Sequence, residues 1–445
     1  MSGLEPRLMP LGGDGWSPTA ALFRAAALGG GLAVVAVLLR RPDLLYLAAP
    51  IVLAAAFGLG RRAPAQPEAA FTLTEDVPLE GAHLQAQLRV TASGADVVAI
   101  AVPVSGWVQP PGGRTGVVAA RPDRAGNVAL TVPLTARRWG RHQVGPAVVT
   151  VAAAGGLLRW GPQPLPARTV RVVPLTDRFE GAADVPQARG AVGVHRSLRL
   201  GEGSELAGIR PFGAGDRLRR INWRVSLRAG DLHVNATVAE RDAEVVIILD
   251  GRYDAGASGG VDGAASGVDT GVRAAAALAR FYLQLGDRVG LITHGDRVGN
   301  LRPATGRRQL TLLLDVLLDV RAPMVRAGEP PIVGPVGLDP RALVILLSPL
   351  VGVTVFDRAA GLSRRGHPLV VVDTLPADAT PPAASPDFDP QWTDLALRVW
   401  RMQRESRVHR LAELGVPIVV WRGAGSLDAV LRDLARARAA PRVRR

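Results

Sequence analysis

Apolar positions along the chain follow three different patterns, and each predicts a different kind of element. Near the N-terminus two nearly continuous apolar runs, Ala20 to Leu39 (broken only by Arg24) and Leu44 to Leu59, are separated by Arg40-Arg41-Pro42-Asp43 and closed by Arg61-Arg62. A bilayer core takes about 20 apolar residues per helix, with ~17 as the lower limit, so both runs lie near the minimum. They predict a transmembrane helical hairpin over 19–62, with lipid contact through residues 20–59. No Ala-x-Ala-type site follows the first run and a second run comes at once, which argues against a signal peptide. Arg7, Arg24, Arg61 and Arg62 flank the tails and outweigh Arg40 and Arg41 in the turn. The positive-inside rule then places a multi-pass cell-membrane protein with its soluble domains in the cytoplasm. Residues 1–18 lack periodicity and are expected to form a flexible tail.

From 68 to 176 the pattern shortens to β-rich pieces punctuated by Pro and Gly: His83–Thr91, Val97–Val104, Asn127–Leu134, Ala147–Val151 and Thr169–Val173. Within His83–Thr91, Leu84, Ala86, Leu88 and Val90 alternate with polar residues, the period of a half-buried strand. Several such strands at short spacing predict a β-sandwich domain. From 244 to 436 the apolar runs become continuous and alternate with helical segments. Strands are expected at Val245–Asp250, Val289–His294, Leu343–Ser348, Leu369–Asp373 and Pro417–Trp421. Helices are expected at Val268–Leu285, Gln309–Val320, Trp392–Leu414 and Leu427–Arg436. That order predicts a parallel, doubly wound α/β domain. Residues 437–445 form a basic tail. The fold class is therefore multi-domain: transmembrane hairpin, β-sandwich, then doubly wound α/β.

Between the two soluble domains, 177–243 reads differently. Glycine and arginine alternate there with isolated aromatics: Gly213, Gly215, Arg219, Arg220, Trp223, Arg224, Arg228. Asp216 sits among Arg217, Arg219 and Arg220, a composition suited to charge-assisted pairs that clamp a loop, with Trp223 as a large anchor. The same Arg/Trp cluster, if exposed, is the composition enriched at interface hot spots. Catalysis by Asp216 as a general base has only the residue type in its favour.

In register, Gly201, Gly203, Ser204, Glu205, Arg210, Gly215, Asp216, Arg219, Ile221, Trp223, Arg228, Leu232 and Asp250 resemble the signature of the large bacterial family known as DUF58. Phe212 stands where that family usually has Tyr, and Leu227 where it usually has Ala. Arg138 to Pro146 and Gly155-Gly156-Leu157-Leu158 resemble two further family elements, although Ala153 and Ala154 replace an Asp-Pro pair. The resemblance implies a von Willebrand factor A-like domain at 244–436. As partner it implies an AAA+ ATPase of the MoxR type, and as process the assembly or maturation of other complexes.

Composition removes several chemistries. The chain has no Cys and no Lys, so there is no disulfide, thiolate nucleophile, Walker A lysine or Schiff base. The formal net charge of +14 raises nucleic acid as a partner. However, the arginines are spread over every segment and aromatics make up 4% of the chain, so no stacking stripe emerges and no nucleic-acid partner is expected. His83 and His142 lack a second ligand at metal spacing.

Asp250 closes a buried strand where open α/β sheets bind ligands. In von Willebrand A domains an Asp-x-Ser-x-Ser motif begins there and supplies hard oxygens to Mg²⁺. Here the chain reads Asp250-Gly251-Arg252-Tyr253-Asp254, and Pro349 stands where a later metal-site Asp is expected. Arg252 can instead provide the positive charge internally, pairing with Asp250 or Asp254. The bland reading is that Asp250 caps a strand end or helix start. The residues thus predict a membrane-anchored, non-enzymatic adaptor with no cofactor, no catalytic residue and no metal. The alternative is an extracellular, metal-dependent adhesion module that binds an acidic ligand through Asp250. A hydrolase has no residue constellation in its favour.

Overall fold

The computed structural model describes residues 8–12, 15–60, 64–103, 106–111, 116–175, 197–213, 218, 221–239, 244–322, 338–340, 342–376 and 390–421. The chain is multi-domain and mixes helices with sheets. It divides into two compact units, residues 1–175 with Gly260–Asp262, and the remainder.

The first unit opens with two short strands, β1 (Met9–Pro10) and β2 (Ser17–Pro18), then helices α1 (Ala20–Leu38) and α2 (Asp43–Gly60). Ten strands follow: β3 (Glu68–Leu73), β4 (His83–Thr91), β5 (Ala95–Val102), β6 (Val108–Gln109), β7 (Gly116–Ala120), β8 (Asn127–Ala136), β9 (Gly140–Val144), β10 (Ala147–Ala153), β11 (Leu158–Leu165) and β12 (Arg168–Val172). With β1 and β2 they form two five-stranded sheets, ordered β1-β3-β4-β8-β6 and β2-β11-β10-β5-β7, with β12 and β9 paired separately. Strict alternation of burial along β4 and β8 sends Leu84, Leu88, Val128, Leu130, Val132 and Leu134 into a core shared with Val98, Ile100, Val149 and Val151 of the second sheet. A period of two in the sequence thus becomes one buried face per sheet.

The expectation of a flexible tail over 1–18 fails for its described part. Met9 and Pro10 pair with Ala69 and Glu68, and Ser17 and Pro18 pair with Arg159 and Leu158. Leu11 is buried in the shared core, Trp16 meets Trp160 edge to face at 5.8 Å, and the Trp160 indole donates to the carbonyl of Gly12 at 3.0 Å. Each contact is long-range and so short in sequence that no period could register. The strand also leads directly into α1, because Thr19 donates from its hydroxyl to the carbonyl of Gly156 at 2.9 Å.

Of the two N-terminal helices, only α1 is long and apolar enough to cross a membrane; the apolar part of α2, Asp43–Gly58, is shorter. They pack where α1 presents Gly29: a Cβ there would lie 2.7 Å from the Val52 side chain, so only glycine permits the approach.

The second unit begins with a long antiparallel pair, β13 (Ser197–Pro211) and β14 (His233–Ala239), bridged by the short helix α3 (Trp223–Ala229). Its main sheet follows. In chain order the elements are β15 (Glu244–Asp250), α4 (Gly267–Gln284), β16 (Arg288–His294), β17 (Gly299–Ala304), α5 (Gly306–Leu317), β18 (Leu343–Ser348), α6 (Val353–Arg364), β19 (Leu369–Asp373), α7 (Pro390–Glu413) and β20 (Ile418–Val420). The sheet order is β17-β16-β15-β18-β19-β20, all neighbours parallel except the antiparallel edge pair β16 and β17. β18 and β19 are buried at every position, the signature of strands covered on both faces. Helix α6 and edge strand β17 were not foreseen from the periodicity. The expected helix Leu427–Arg436 and the tail 437–445 lie outside the described residues.

Removing the Leu11 side chain tests the docking of the N-terminal strand. Leu11→Ala is expected to cost about 2–5 kcal/mol in urea unfolding, as for a buried leucine, and a change within about 0.5 kcal/mol would return the segment to a tail.

Candidate functional site

Each central strand of the second unit is an apolar run that ends in a polar residue, so the carboxyl edge of the sheet collects Asp250, His294, Ser348 and Asp373. Register places Asp250 opposite His294 and Ser348 opposite Asp373. All four are buried. A carboxylate taken out of water in this way needs a counter-charge and hydrogen bonds on both oxygens.

Asp250 obtains them from within its own turn and from β18. The Arg252 guanidinium donates from Nε to Oδ1 at 2.8 Å and from Nη2 to Oδ2 at 3.2 Å, and the Ser348 hydroxyl donates to Oδ2 at 2.8 Å. Ser348 Oγ is in turn held by the amide of Leu350 at 3.0 Å. Arg252 then donates from Nη1 to Thr354 Oγ1 at 2.7 Å, on the first turn of α6, and its guanidinium lies 5.6 Å from the Tyr253 ring centroid. The turn that brings Arg252 back requires Gly251, whose amide bonds the His294 carbonyl at 2.6 Å. A Cβ at 251 would sit 2.7 Å from Val320 Cγ1.

Asp254 serves a different end. Its Oδ1 accepts from the amide of Val268, in the first turn of α4, at 3.1 Å, beside the Ser266/Asp269 capping box. Of the two expected partners for Arg252, Asp250 accepts from its guanidinium at both carboxylate oxygens. The helix start is held by Asp254 rather than Asp250.

A second closure at the same edge was missed. The Arg404 guanidinium on α7 donates from Nη2 to Asp373 Oδ2 and from Nε to the Pro349 carbonyl at 3.2 Å, and the Leu375 amide donates to Asp373 Oδ1 at 3.0 Å. Burial holds the Asp373 carboxyl above its ordinary value, and the Arg404 charge opposes that shift without cancelling it. One signal was available: Leu369-Val370-Val371-Val372-Asp373 repeats the pattern of an apolar run ended by a carboxylate seen at Val245–Asp250.

The Mg²⁺ site implied by the von Willebrand A resemblance does not fit this donor set. Both Asp250 oxygens already accept hydrogen bonds, and a guanidinium stands against them, so an approaching divalent cation meets positive charge. Among the described residues no three His, Asp or Glu side chains converge as ligands.

The signature segment presents the second candidate surface. Asn222 caps α3 by accepting from the Val225 amide at 3.2 Å, and its Nδ2 donates to Asn235 Oδ1 at 2.8 Å. Ser226 accepts from the His233 amide at 2.9 Å. Asn222 and Ser226 are four apart, so they share the face turned to β14, where Ile221 and Val234 are buried. Trp223 and Leu227 come one residue later, about 100° further round, and point outward at 62% and 83% exposure. The expectation that Trp223 anchors a clamp is therefore overturned: helical phase puts Asn222 in that position. Arg228 is exposed, and Arg210 is half-buried and donates to the Pro211 carbonyl at 3.1 Å. Gly215, Asp216 and Arg219 lie outside the described residues.

Comparison with known proteins locates this region. Residues 208–384 match a family described as "Protein of unknown function DUF58". Uncharacterised proteins of Mycobacterium tuberculosis and Mycobacterium bovis are 31% identical over 141 residues, which is 31% of this chain and 43% of theirs. The chain thus spans less than half the length of the curated relatives it matches. Among solved structures, the apo form of Bacteroides uniformis beta-glucuronidase 3 overlaps 79% of this chain and 33% of its own at 9% identity. Its TM-score of 0.15 lends no argument.

Two measurements test the arginine closures. Arg252→Ala leaves Asp250 buried without its counter-charge and is expected to cost roughly 3–5 kcal/mol in urea unfolding, part of which Asp250→Asn in the same background restores. For Asp373, a folded-state value raised above 3.8 means its contribution is present in full below pH 3.8 and lost as pH rises through the raised value. Wild type should accordingly lose stability relative to Asp373→Asn as pH climbs from below 3.8 towards neutrality. A gap that instead widens in favour of wild type would reverse the assignment.

Proposed function

We propose that the chain is a membrane-anchored, non-enzymatic adaptor. In this reading α1 and α2 form a transmembrane hairpin, the two five-stranded sheets form a β-sandwich, and the second unit is a von Willebrand A-like domain that binds other proteins. The observation that carries the reading is the division of polar groups in the second unit. At the carboxyl edge, where α/β sheets ordinarily hold ligands, Asp250 and Asp373 are each engaged by an arginine. Trp223, Arg224, Leu227 and Arg228 of the signature segment meanwhile face solvent. Exposed Trp and Arg on a short capped helix are the residues that anchor protein interfaces.

Membrane attachment is supported by the surface of the helices. Phe23, Leu28, Val37, Tyr46, Leu53 and Phe57 are each more than half exposed, far more apolar surface than a helix pair in water tolerates. The arginine balance across the turn favours cytoplasmic soluble domains. For the partner, the resemblance of the signature points to an AAA+ ATPase of the MoxR type. Such a machine would use the adaptor to reach complexes under assembly or maturation.

Trp223→Ala tests this directly in the detergent-extracted full chain. Stability should remain within about 0.5 kcal/mol of wild type, as for a surface substitution, while co-purification of the ATPase under ATP or ADP is lost. Unchanged capture, with either nucleotide, would remove the signature segment from the interface.

A further inference from the structure

The fold uses helix α7 along only half of its length. Towards its C-terminus Leu411 is buried, Val408 packs against the core beneath the sheet, and Arg404 reaches Asp373 and the Pro349 carbonyl. Towards its N-terminus Trp392, Leu395, Val399 and Met402 are 63%, 51%, 45% and 68% exposed. Their spacing of three, four and three residues sets them along one side of the helix. Trp392, Leu395, Val399 and Trp400 line one open groove there. Nothing in the sheet requires this stripe, and the family match ends at residue 384, before the helix begins.

Charge selects the occupant. Between Pro390 and Arg404 the sequence carries one acid, Asp394, against Arg398, Arg401 and Arg404. Of these, Arg398 and Arg401 are exposed and Arg398 borders the apolar stripe. A stripe of Trp, Leu, Val and Met edged by arginine is the make-up of a helix that lies in the plane of a bilayer. Tryptophan seats at the headgroup level, while arginine rests its stem along the apolar layer and pairs with lipid phosphate. The chain also holds a helix long and apolar enough to reach into such a bilayer, α1.

We propose that the N-terminal half of α7 docks into the interfacial layer of an anionic phospholipid membrane, with Trp392, Leu395, Val399 and Met402 inserted and Arg398 and Arg401 on the phosphates. The proposal rests on the membrane-anchoring reading above, and the test separates the two. Because the chain has no cysteine, one introduced thiol carries a unique reporter. The full chain would be labelled with an environment-sensitive fluorophore at Val399→Cys, at Leu397→Cys about 200° round the helix from it, or at Val34→Cys on α1. Each is then reconstituted in phosphatidylcholine vesicles with or without phosphatidylglycerol. Nitroxide-bearing lipid should quench position 399 well above position 397, and only with phosphatidylglycerol present. Arg398→Gln and Arg401→Gln should each lower the inserted fraction about fivefold, the worth of one arginine at an anionic surface. High salt should reverse insertion.

If position 34 is quenched by lipid and position 399 is not, this proposal fails while the anchor stands. If neither is quenched, the anchor reading fails as well. A reporter at 399 shielded from aqueous iodide but untouched by the nitroxide lipid would assign the stripe to a protein partner or a second copy, and would overturn the proposal.

Discussion

Burying a carboxylate at the end of a strand is the constraint from which the second unit is organised. β15, β18 and β19 lie covered on both faces, so Asp250 and Asp373 emerge where little water can reach them. Each needs a cation, and each takes the guanidinium that the chain can deliver. For Asp250 the supplier is two residues away, and the cost is a turn so tight that position 251 admits no side chain. For Asp373 it is Arg404, carried on a helix that must therefore cross the carboxyl edge. The Arg252–Thr354 bond extends the same network to the start of α6. Two ion pairs thus determine how the strand ends, one loop and two helices meet.

Such pairs are poor contributors to net stability, because desolvation offsets most of their attraction, but they are costly to break singly. That asymmetry favours a single arrangement at the carboxyl edge over any that leaves one charge unpaired. It also consumes the hydrogen-bonding capacity that a ligand or ion would otherwise meet there. The adaptor reading assigns recognition to surfaces away from that edge. The outer face of α3 and the N-terminal half of α7 are two such surfaces, and both combine large apolar side chains with arginine.

The first unit is held by a different device. Its two sheets bury alternate residues in one core, while the segments on either side of α1 and α2 are tied to the same sheet end. Thr19 bonds the Gly156 and Leu157 carbonyls before α1, and a Cβ at Gly58 in α2 would come 2.6 Å from the Leu157 side chain. The turn at Gly155 to Leu157 therefore serves as the seat for both helices.

Sequence alone determined what depends on local period and composition. His83–Thr91, Leu343–Ser348 and Leu369–Asp373 have the bounds that alternation or continuous apolarity predicts, because strand burial is written residue by residue. The Asp250–Arg252 pair was also legible, being two positions apart. Tertiary structure alone decided the rest. The strands at Met9–Pro10 and Ser17–Pro18 are too short to carry a period, and their partners lie far along the chain. Asp373 and Arg404 are 31 residues apart, and nothing local says that α7 returns over β19. Composition named Trp223 as important but not which way it faces. A one-residue step on a helix turns a side chain by about 100°, and only the packing of Asn222 and Ser226 against β14 fixes the phase that sends Trp223 into solvent.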